Sequence, residues 1–343
     1  MPRRRSDNLR IKRRYLDWQR QAKGLSEASV DKAAAAIDRW LDYTGGSDFR
    51  RFHTEKAVGF KRHLERPKSG SHSPVSDATR ESILRDLKAF FLWLADQPGY
   101  RSKIRHADAQ WFTPDRRSAR AAHQGQWRPH PSPEQVRAAI LAMPDDTPFQ
   151  RRDRSLLAFL FLTGARETAA MTVRLRHIDL ANRCVHFDGK LVETKFGKRF
   201  STFFFPVGAE IEQILCDWVG ELTNGLLFGP CDPLFPKTEV RRSPTSGIFQ
   251  PVGLMREPWA SPAPIVKALG NAFEAIGLPR FSPHRIRNTL VDLANYHCQT
   301  PEDFKSWSQN LGHDNVLTTF HNYGTVAPGR QKEVMERFRS GST

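Results

Sequence analysis

A histidine and an arginine near the start of one predicted helix form the sharpest candidate site in this sequence. Ser282 is suited to cap a helix and Pro283 to fill its first position, so His284 and Arg287 fall three residues apart on one face. The first turn of a helix also offers unpaired N–H groups and the positive end of the helix dipole, a combination that holds an anion such as a phosphate. The pattern alone equally fits a solvent-exposed histidine beside an arginine.

Three further segments carry residues suited to chemistry. Arg166 follows a strongly apolar stretch in the segment Thr163-Gly164-Ala165-Arg166, where a buried charge needs a partner. Lys195 lies at the tip of a predicted β-turn, and His313 follows Leu311-Gly312, with Tyr323 ten residues later. Each segment, taken alone, also fits a structural role: an ion pair of Arg166 with Glu167, a solvated basic turn, or a tyrosine used in packing.

Taken in order and in local context, these residues resemble the motifs of the tyrosine recombinase (integrase) family. The matching positions are Arg166, Lys195, His284, Arg287, His313 and Tyr323. The resemblance spans residues 150 to 324. It implies that Tyr323 attacks a DNA phosphodiester, leaving a 3′-phosphotyrosyl link and a free 5′-OH, without metal or ATP. We therefore expect a site-specific DNA recombinase, with integration or excision of a mobile element as its setting.

The chemistry of the reaction assigns a role to each residue. The guanidinium groups of Arg166 and Arg287 can hold the non-bridging phosphate oxygens in bidentate fashion and stabilise the transition state. His284 is placed to take the proton of Tyr323, whose unperturbed pKa is about 10. Lys195 is the general acid for the departing 5′-oxygen, and His313 donates a hydrogen bond to the phosphate.

Two departures from the family pattern stand out. The family usually carries a carboxylate three residues after the first arginine, where this chain has Ala169, and Glu167 is the nearest acid. The gap between His313 and Tyr323 is one residue longer than in many members. Lys198 competes with Lys195 for the hairpin role, and the match to Thr-Lys before the turn favours Lys195.

The charge distribution favours a nucleic acid partner. The chain has 343 residues and a net charge of +16, and residues 1–130 hold 28 basic and 15 acidic residues, against 25 and 22 in residues 131–343. Such a basic region is typical of phosphate-backbone binding. The candidate DNA-binding residues are Arg10, Arg13, Arg14, Arg116, Arg117, Arg120, Lys198, Arg199 and Arg285.

Apolar periodicity predicts a mainly α protein with a small antiparallel β-sheet. A basic arm and an all-α domain, which resembles the family's core-binding domain, occupy residues 1–115, and a basic, proline-rich linker occupies 116–132. An α+β catalytic domain with a C-terminal tail occupies 133–343. Residues 3–14 are expected to form the arm, and residues 224–262, rich in Gly and Pro, are expected to be loop.

Several classes of protein are disfavoured. The longest apolar run has seven residues, too short for a membrane span, and we expect a cytoplasmic protein. The four cysteines form no CxxC pair, and we expect neither a metal site nor a cofactor. The resemblance implies a homotetramer on DNA, with accessory DNA-bending proteins as further partners. A type IB topoisomerase and a non-catalytic DNA-binding protein of the same fold remain the alternatives.

Overall fold

The structure is a computed structural model that describes residues 2–66, 75–114, 129–188, 199–243 and 247–313, with side chains from residue 7 onward. It divides into two compact units, Met1–Gln124 and Gly125–Thr343. Helices dominate both units, and the strands lie in the second, as the expected mainly α class requires. Among the described residues, no helix is long and apolar enough to cross a membrane.

The described residues of the first unit form helices and no strands. Its helices are α1 (Pro2–Gln21), α2 (Glu27–Tyr43), α3 (Thr54–Glu65), α4 (Asp77–Ala95) and the short α5 (His106–Ala109). The core is rich in aromatic rings that meet edge to face, with Trp40 of α2 at 5.3 Å from Phe60, 5.7 Å from Phe91 and 5.1 Å from Phe112 between ring centroids. Such pairs each add about 0.5–1.5 kcal/mol beyond the burial of their area.

Residues 3–14 do not form a separate arm, because α1 begins at Pro2. Ile11 and Tyr15 lie on its buried face, and the ring of Tyr15 packs 5.1 Å from that of Phe90. Asn8 is also buried and donates to the backbone oxygens of Gly46 and Ser47. Arg10, Arg13 and Arg14 therefore lie on the exposed side of an amphipathic helix that is anchored to the core of its own unit.

The second unit surrounds one almost completely buried helix. Its helices are α6 (Pro133–Leu141), α7 (Pro148–Thr163), α8 (Glu167–Thr172), α9 (Ala209–Gly220), α10 (Ala263–Ala275), α11 (Pro283–His297) and α12 (Pro301–Asn310). Every residue of the run Leu156–Thr163 in α7 is buried. The helix begins with a capping box between Thr147 and Gln150 and ends at Gly164, which has φ 60°.

A three-stranded antiparallel sheet packs beside α7. Strand β1 (Ile178–Asp179) pairs with β2 (Cys184–Phe187), which pairs with β3 (Phe200–Phe203), and His186 lies opposite Ser201. Residues 191–194, which the β-prone sequence Leu-Val-Glu-Thr predicts as a strand, lie outside the described residues. Phe187 and Phe200 stack at 4.9 Å between ring centroids and direct the apolar side of the sheet toward the core.

The expectation of a loop over residues 224–262 is wrong in part. A π-turn spans Glu221–Gly225, and β4 (Thr238–Arg242) and β5 (Phe249–Leu254) form an antiparallel hairpin with a register shift between Glu239 and Val240. Most residues of both strands are exposed, so the sequence lacks the alternation of apolar and polar residues that signals a half-buried strand.

Candidate active site

A small pocket opens where the end of α7 meets α8, β2, β3 and α11. Arg166 and Arg287 both line it, together with Ala169, Thr202 and Leu311. Its cavity of about 20 Å³ has room for about one water-sized group. The two arginines are far apart in the sequence, and the fold brings them to the walls of one pocket.

Arg287 lies on the buried face of α11 and is 5% exposed. Its Nη1 donates to the backbone oxygen of Gly164 at 2.6 Å, and its Nη2 donates to the backbone oxygen of Leu311. Burial and the nearby charge of Arg166 lower the pKa of Arg287 to about 9, so the group is still cationic at neutral pH. Among the described residues, no acidic side chain forms an ion pair with it.

Arg166 stands immediately before α8 as its N-cap residue and is half-buried. Burial lowers its pKa, and the charge of Glu167 opposes that shift. Within the described part of the chain, Arg166 forms no ion pair within 4.0 Å. The ion pair with Glu167 that the sequence also allowed is therefore not formed. Ala169, at the position of the usual carboxylate, is buried and lines the pocket with its methyl group. The pocket therefore holds two cations, and no acidic side chain among the described residues forms an ion pair with either, an arrangement suited to an anionic ligand.

His284 lies in the first turn of α11, with its surface exposed to solvent. It is not one of the residues that line the pocket, but it lies within electrostatic reach of both pocket arginines. The pKa of the imidazole is lowered, mainly because the ring is partly desolvated and to a smaller extent because the charges of Arg287 and Arg285 repel a proton. The ring is therefore neutral at pH 7 and able to accept a proton.

His313 follows the end of α12 and is half-buried. Its N–H donates to the backbone oxygen of Ser308 at 3.1 Å, and Gly312, with φ 68°, makes the turn that leads to it. Two residues earlier, the backbone oxygen of Leu311 accepts a hydrogen bond from Arg287. This contact ties the segment before His313 to the same arginine that lines the pocket.

The remaining predicted residues divide between other surfaces and undescribed segments. Lys195, Lys198, Tyr323, Arg116, Arg117 and Arg120 lie outside the described residues. Arg10, Arg13 and Arg14 are exposed on α1 in the first unit, where Arg10 pairs with Asp7 at 3.3 Å. In the second unit, Arg199 pairs with Asp188 at 2.9 Å before β3, and Arg285 is half-buried on α11.

The structure also reveals contributors that carry no sequence signal. The backbone oxygens of Gly164 and Leu311 fix Arg287, and any residue type supplies such an oxygen. Asn310 pins β3 to the end of α12, because its side chain accepts from the N–H of Phe203 and donates to the oxygen of the same residue. Thr202 donates to the backbone oxygen of Asn310 at 2.9 Å. These bonds hold the segment before His313 against the sheet.

Comparison with known proteins shows what this chain is similar to. No family model matches the chain. The integrase of the transposon Tn1549, solved in complex with transposon right end DNA, matches with a TM-score of 0.62 at 16% identity, over 95% of this chain and 98% of that one. The fold is therefore that of this integrase.

Two curated relatives match by sequence. Tyrosine recombinase XerC of Serratia marcescens is 25% identical over 307 residues, which is 89% of this chain and 86% of the relative. Tyrosine recombinase XerD of Neisseria meningitidis (serogroup A / serotype 4A, strain DSM 15465 / Z2491) is 28% identical over 188 residues, 54% of this chain. The chain is therefore similar in sequence to tyrosine recombinases. This match spans about half of the length, 55%, of the XerD relative.

The similarity to tyrosine recombinases confirms the resemblance drawn from the motifs. The pocket is relevant to this similarity because it is lined by Arg166 and Arg287, the two residues that the motif match assigns to phosphate binding. The roles of the individual residues remain predictions.

Gly164 offers a test of how the pocket is built. A Cβ at this position would lie 2.7 Å from Leu311 Cδ2 and 3.1 Å from Leu290 Cδ1, and the left-handed φ itself costs a non-glycine residue about 1–2 kcal/mol. We expect Gly164→Ala to lower the free energy of unfolding by more than that strain alone and to slow strand cleavage, because the Gly164 oxygen holds Arg287. Urea unfolding and a cleavage assay measure the two effects.

Gly277→Ala is the matched control, since Gly277 has φ 75° but no neighbouring atom within 4 Å of the point where a Cβ would lie. It carries the backbone strain without the collision, so it should cost about 1–2 kcal/mol and leave cleavage unchanged. Equal effects of the two substitutions on cleavage would show that the conformation of Gly164 does not support the pocket.

Proposed function

We propose that this chain is a site-specific DNA recombinase that cleaves and rejoins DNA strands through a 3′-phosphotyrosyl intermediate, with no need for metal or ATP. The observation that carries the proposal is the convergence of Arg166 and Arg287 on one pocket without an acidic partner among the described residues. A buried guanidinium that has carbonyl but no carboxylate partners retains its positive charge for a ligand. A DNA phosphodiester supplies the complementary single negative charge.

The two arginines bind the scissile phosphate and stabilise its pentavalent transition state. A guanidinium presents parallel N–H donors that match a pair of phosphate oxygens, and the half-buried pocket strengthens those hydrogen bonds relative to water. The carbonyl contacts of Arg287 leave its remaining donors for the ligand and fix its plane in advance. Such preorganisation lowers the cost of reaching the transition state.

Tyr323, His284, Lys195 and His313 complete the proposed mechanism. The Tyr323 oxygen attacks phosphorus as His284 takes the phenolic proton, and the bond to the 5′-oxygen breaks as Lys195 protonates that oxygen. His313 donates a hydrogen bond to a phosphate oxygen. Attack by a 5′-OH on the phosphotyrosine reverses these steps and restores the free tyrosine, so the energy of the phosphodiester bond is conserved.

The lowered pKa of His284 predicts the pH dependence of cleavage. The neutral imidazole accepts the proton, so the rate on bound DNA should be level at neutral pH and fall as the pH drops through a pKa below about 6.5. His284→Gln should lower the rate by about 10²- to 10⁴-fold and abolish the inflection. Single-turnover cleavage of a nicked duplex between about pH 5 and about pH 8 gives both values. An unchanged inflection in the variant would assign it to another group.

Covalent trapping tests the proposed function directly. Nicked duplexes tiled across the DNA that flanks the gene are incubated with the protein in EDTA, quenched in SDS and mapped by mass spectrometry. A nucleotide on Tyr323 is the expected result and locates the target site as well. An adduct on another residue would overturn the assignment of Tyr323, and tight binding without any adduct would favour a non-catalytic DNA-binding protein.

Double-stranded DNA is the proposed partner, and strand exchange between two duplexes calls for four protomers. The Tn1549 integrase is named for a transposon and was solved with transposon end DNA, which supports a mobile element as the setting for this chain. The net charge of the chain agrees with a polyanionic partner. We place the protein in the cytoplasm with its DNA, together with any accessory DNA-bending proteins.

A further inference from the structure

A carboxylate, a thiol and an imidazole meet on the three-stranded sheet. Asp179 ends β1, and Cys184 and His186 are the first and third residues of β2, which places both on the same face of the strand. Their ligand atoms all lie within 4.8 Å of one another. The strand pairing itself aligns Asp179 with Cys184, so the cluster is built into the sheet.

The distances fit one tetrahedral metal ion. Cys184 Sγ lies 3.6 Å from His186 Nε2, and His186 Nε2 lies 4.0 Å from Asp179 Oδ2. With Zn–S near 2.3 Å and Zn–N and Zn–O near 2.0–2.1 Å, ligand atoms on a tetrahedral zinc ion are about 3.4–3.6 Å apart. The third pair of ligand atoms, on Asp179 and Cys184, lies within 4.8 Å.

Each of two ligands is already oriented by a neighbour. The Nδ1 atom of His186 lies 2.8 Å from the Ser201 hydroxyl on β3, which leaves Nε2 facing Cys184 and Asp179. Both Asp179 oxygens accept from Asn182, at 2.9 Å from its backbone nitrogen and 2.7 Å from its side-chain nitrogen. Metal-bound histidines and carboxylates in proteins are held by such outer hydrogen bonds.

We propose that Asp179, Cys184 and His186 form a binding site for one Zn²⁺ ion or a similar divalent transition metal. The thiol binds as a thiolate and releases its proton, the imidazole binds through Nε2, and water completes the fourth position. This donor set suits zinc and cobalt better than magnesium or calcium, which prefer oxygen ligands. The site is separate from the proposed DNA cleavage chemistry, which needs no metal.

The site would tie together the sheet next to the proposed active site. Its ligands bridge β1 and β2, and the Ser201 contact extends the link to β3. Strands β2 and β3 flank residues 188–199, the segment that contains Lys195.

Cobalt spectroscopy tests the site in the full-length protein. The chain is freed of metal with a chelator and titrated with Co²⁺, and we expect one equivalent to bind with the charge-transfer absorption of a cobalt–thiolate bond and the visible bands of a tetrahedral ion. Excess Zn²⁺ should remove both signals and raise the melting temperature, because it binds the folded state. Absence of the charge-transfer band in the wild type would overturn the proposal.

Matched variants assign the signal to these residues. Cys184→Ser and His186→Gln should each abolish the charge-transfer band. Ser201→Ala should weaken Co²⁺ binding by about 10- to 100-fold, because the Ser201 hydroxyl orients His186 without touching the metal. Cys231→Ser is the control, since Cys231 is an exposed thiol elsewhere in the same unit. His186 is exposed, so its variant remains informative if loss of the buried thiol impairs folding. A band that survives His186→Gln, or vanishes in Cys231→Ser, would place the metal elsewhere.

Discussion

Replacing Arg287 with lysine is expected to lower the rate of strand cleavage by about 10²- to 10³-fold, the effect of removing one donor from a preorganised anion site. DNA binding should change by less than about threefold, because phosphate contacts spread over a large interface supply most of the affinity. A lysine ammonium keeps the charge but lacks the planar fork that reaches Gly164, Leu311 and a phosphate together. Single-turnover cleavage and a gel-shift titration give the two numbers.

Arg285→Lys is the matched control for this prediction. Arg285 lies two positions earlier on the same helix, is half-buried, and is a proposed DNA-binding residue. It should weaken binding modestly and leave the cleavage rate of bound DNA unchanged. If Arg287→Lys reduced binding and cleavage equally, Arg287 would serve binding alone. Thermal melting of both variants separates these outcomes from a loss of folding.

The helices were predictable because their signals are local. The capping box of Ser132 and Gln135 opens α6, Ser76 caps α4, and Gly164 ends α7 in a left-handed conformation. Each of these signals depends on a few neighbouring residues and needs no knowledge of the rest of the chain. The class of the fold, mainly α with a small antiparallel sheet, followed from them and is confirmed.

The hairpin of β4 and β5 was not predictable, for a physical reason. Its strands pair through the backbone, and large apolar side chains such as Phe249 and Val252 are 70% and 52% exposed. Sequence patterns report burial, so a hairpin with no buried face leaves no pattern. Strand β1 was not predictable either, because two residues are too few to show an alternating pattern.

The candidate site was predictable in its residue types but not in its geometry. The resemblance pointed to Arg166 and Arg287, yet 123 residues separate Arg287 from the Gly164 oxygen that positions it. No spacing rule covers such a contact, because the tertiary packing of α7 against α11 creates it. The missing carboxylate at Ala169 was visible in the sequence, but only the fold shows that Ala169 lines the same pocket as Arg166.

The metal-ligand cluster escaped the sequence analysis for a related reason. Asp179, Cys184 and His186 match none of the recognised metal-binding spacings, and strand pairing brings Asp179 to the other two. The expectation that the chain has no metal site rested on such spacings. The cobalt experiment decides between that expectation and the proposed site.

Removing one oxygen from Tyr323 is expected to have the largest effect of all. Tyr323→Phe should reduce strand cleavage by about 10⁴-fold or more, as the loss of a covalent nucleophile does, and leave DNA binding unchanged. The phenol oxygen is the attacking atom in the proposed mechanism, and phenylalanine preserves the ring. A nicked duplex that traps the covalent intermediate, combined with a binding titration, measures both properties.

Tyr296→Phe provides a demanding control because Tyr296 is a rival nucleophile. Of the five tyrosines, Tyr15, Tyr43 and Tyr100 lie in the first unit, which leaves Tyr296 and Tyr323 in the second. Tyr296 is 81% exposed near the end of α11, the helix that carries His284 and Arg287 at its start. A helix rises about 1.5 Å per residue, so nine residues place Tyr296 about 13 Å along the axis from Arg287, too far to attack a phosphate that Arg287 holds. Cleavage should therefore survive in Tyr296→Phe and vanish in Tyr323→Phe. The reverse result would move the scissile phosphate away from the pocket of Arg166 and Arg287.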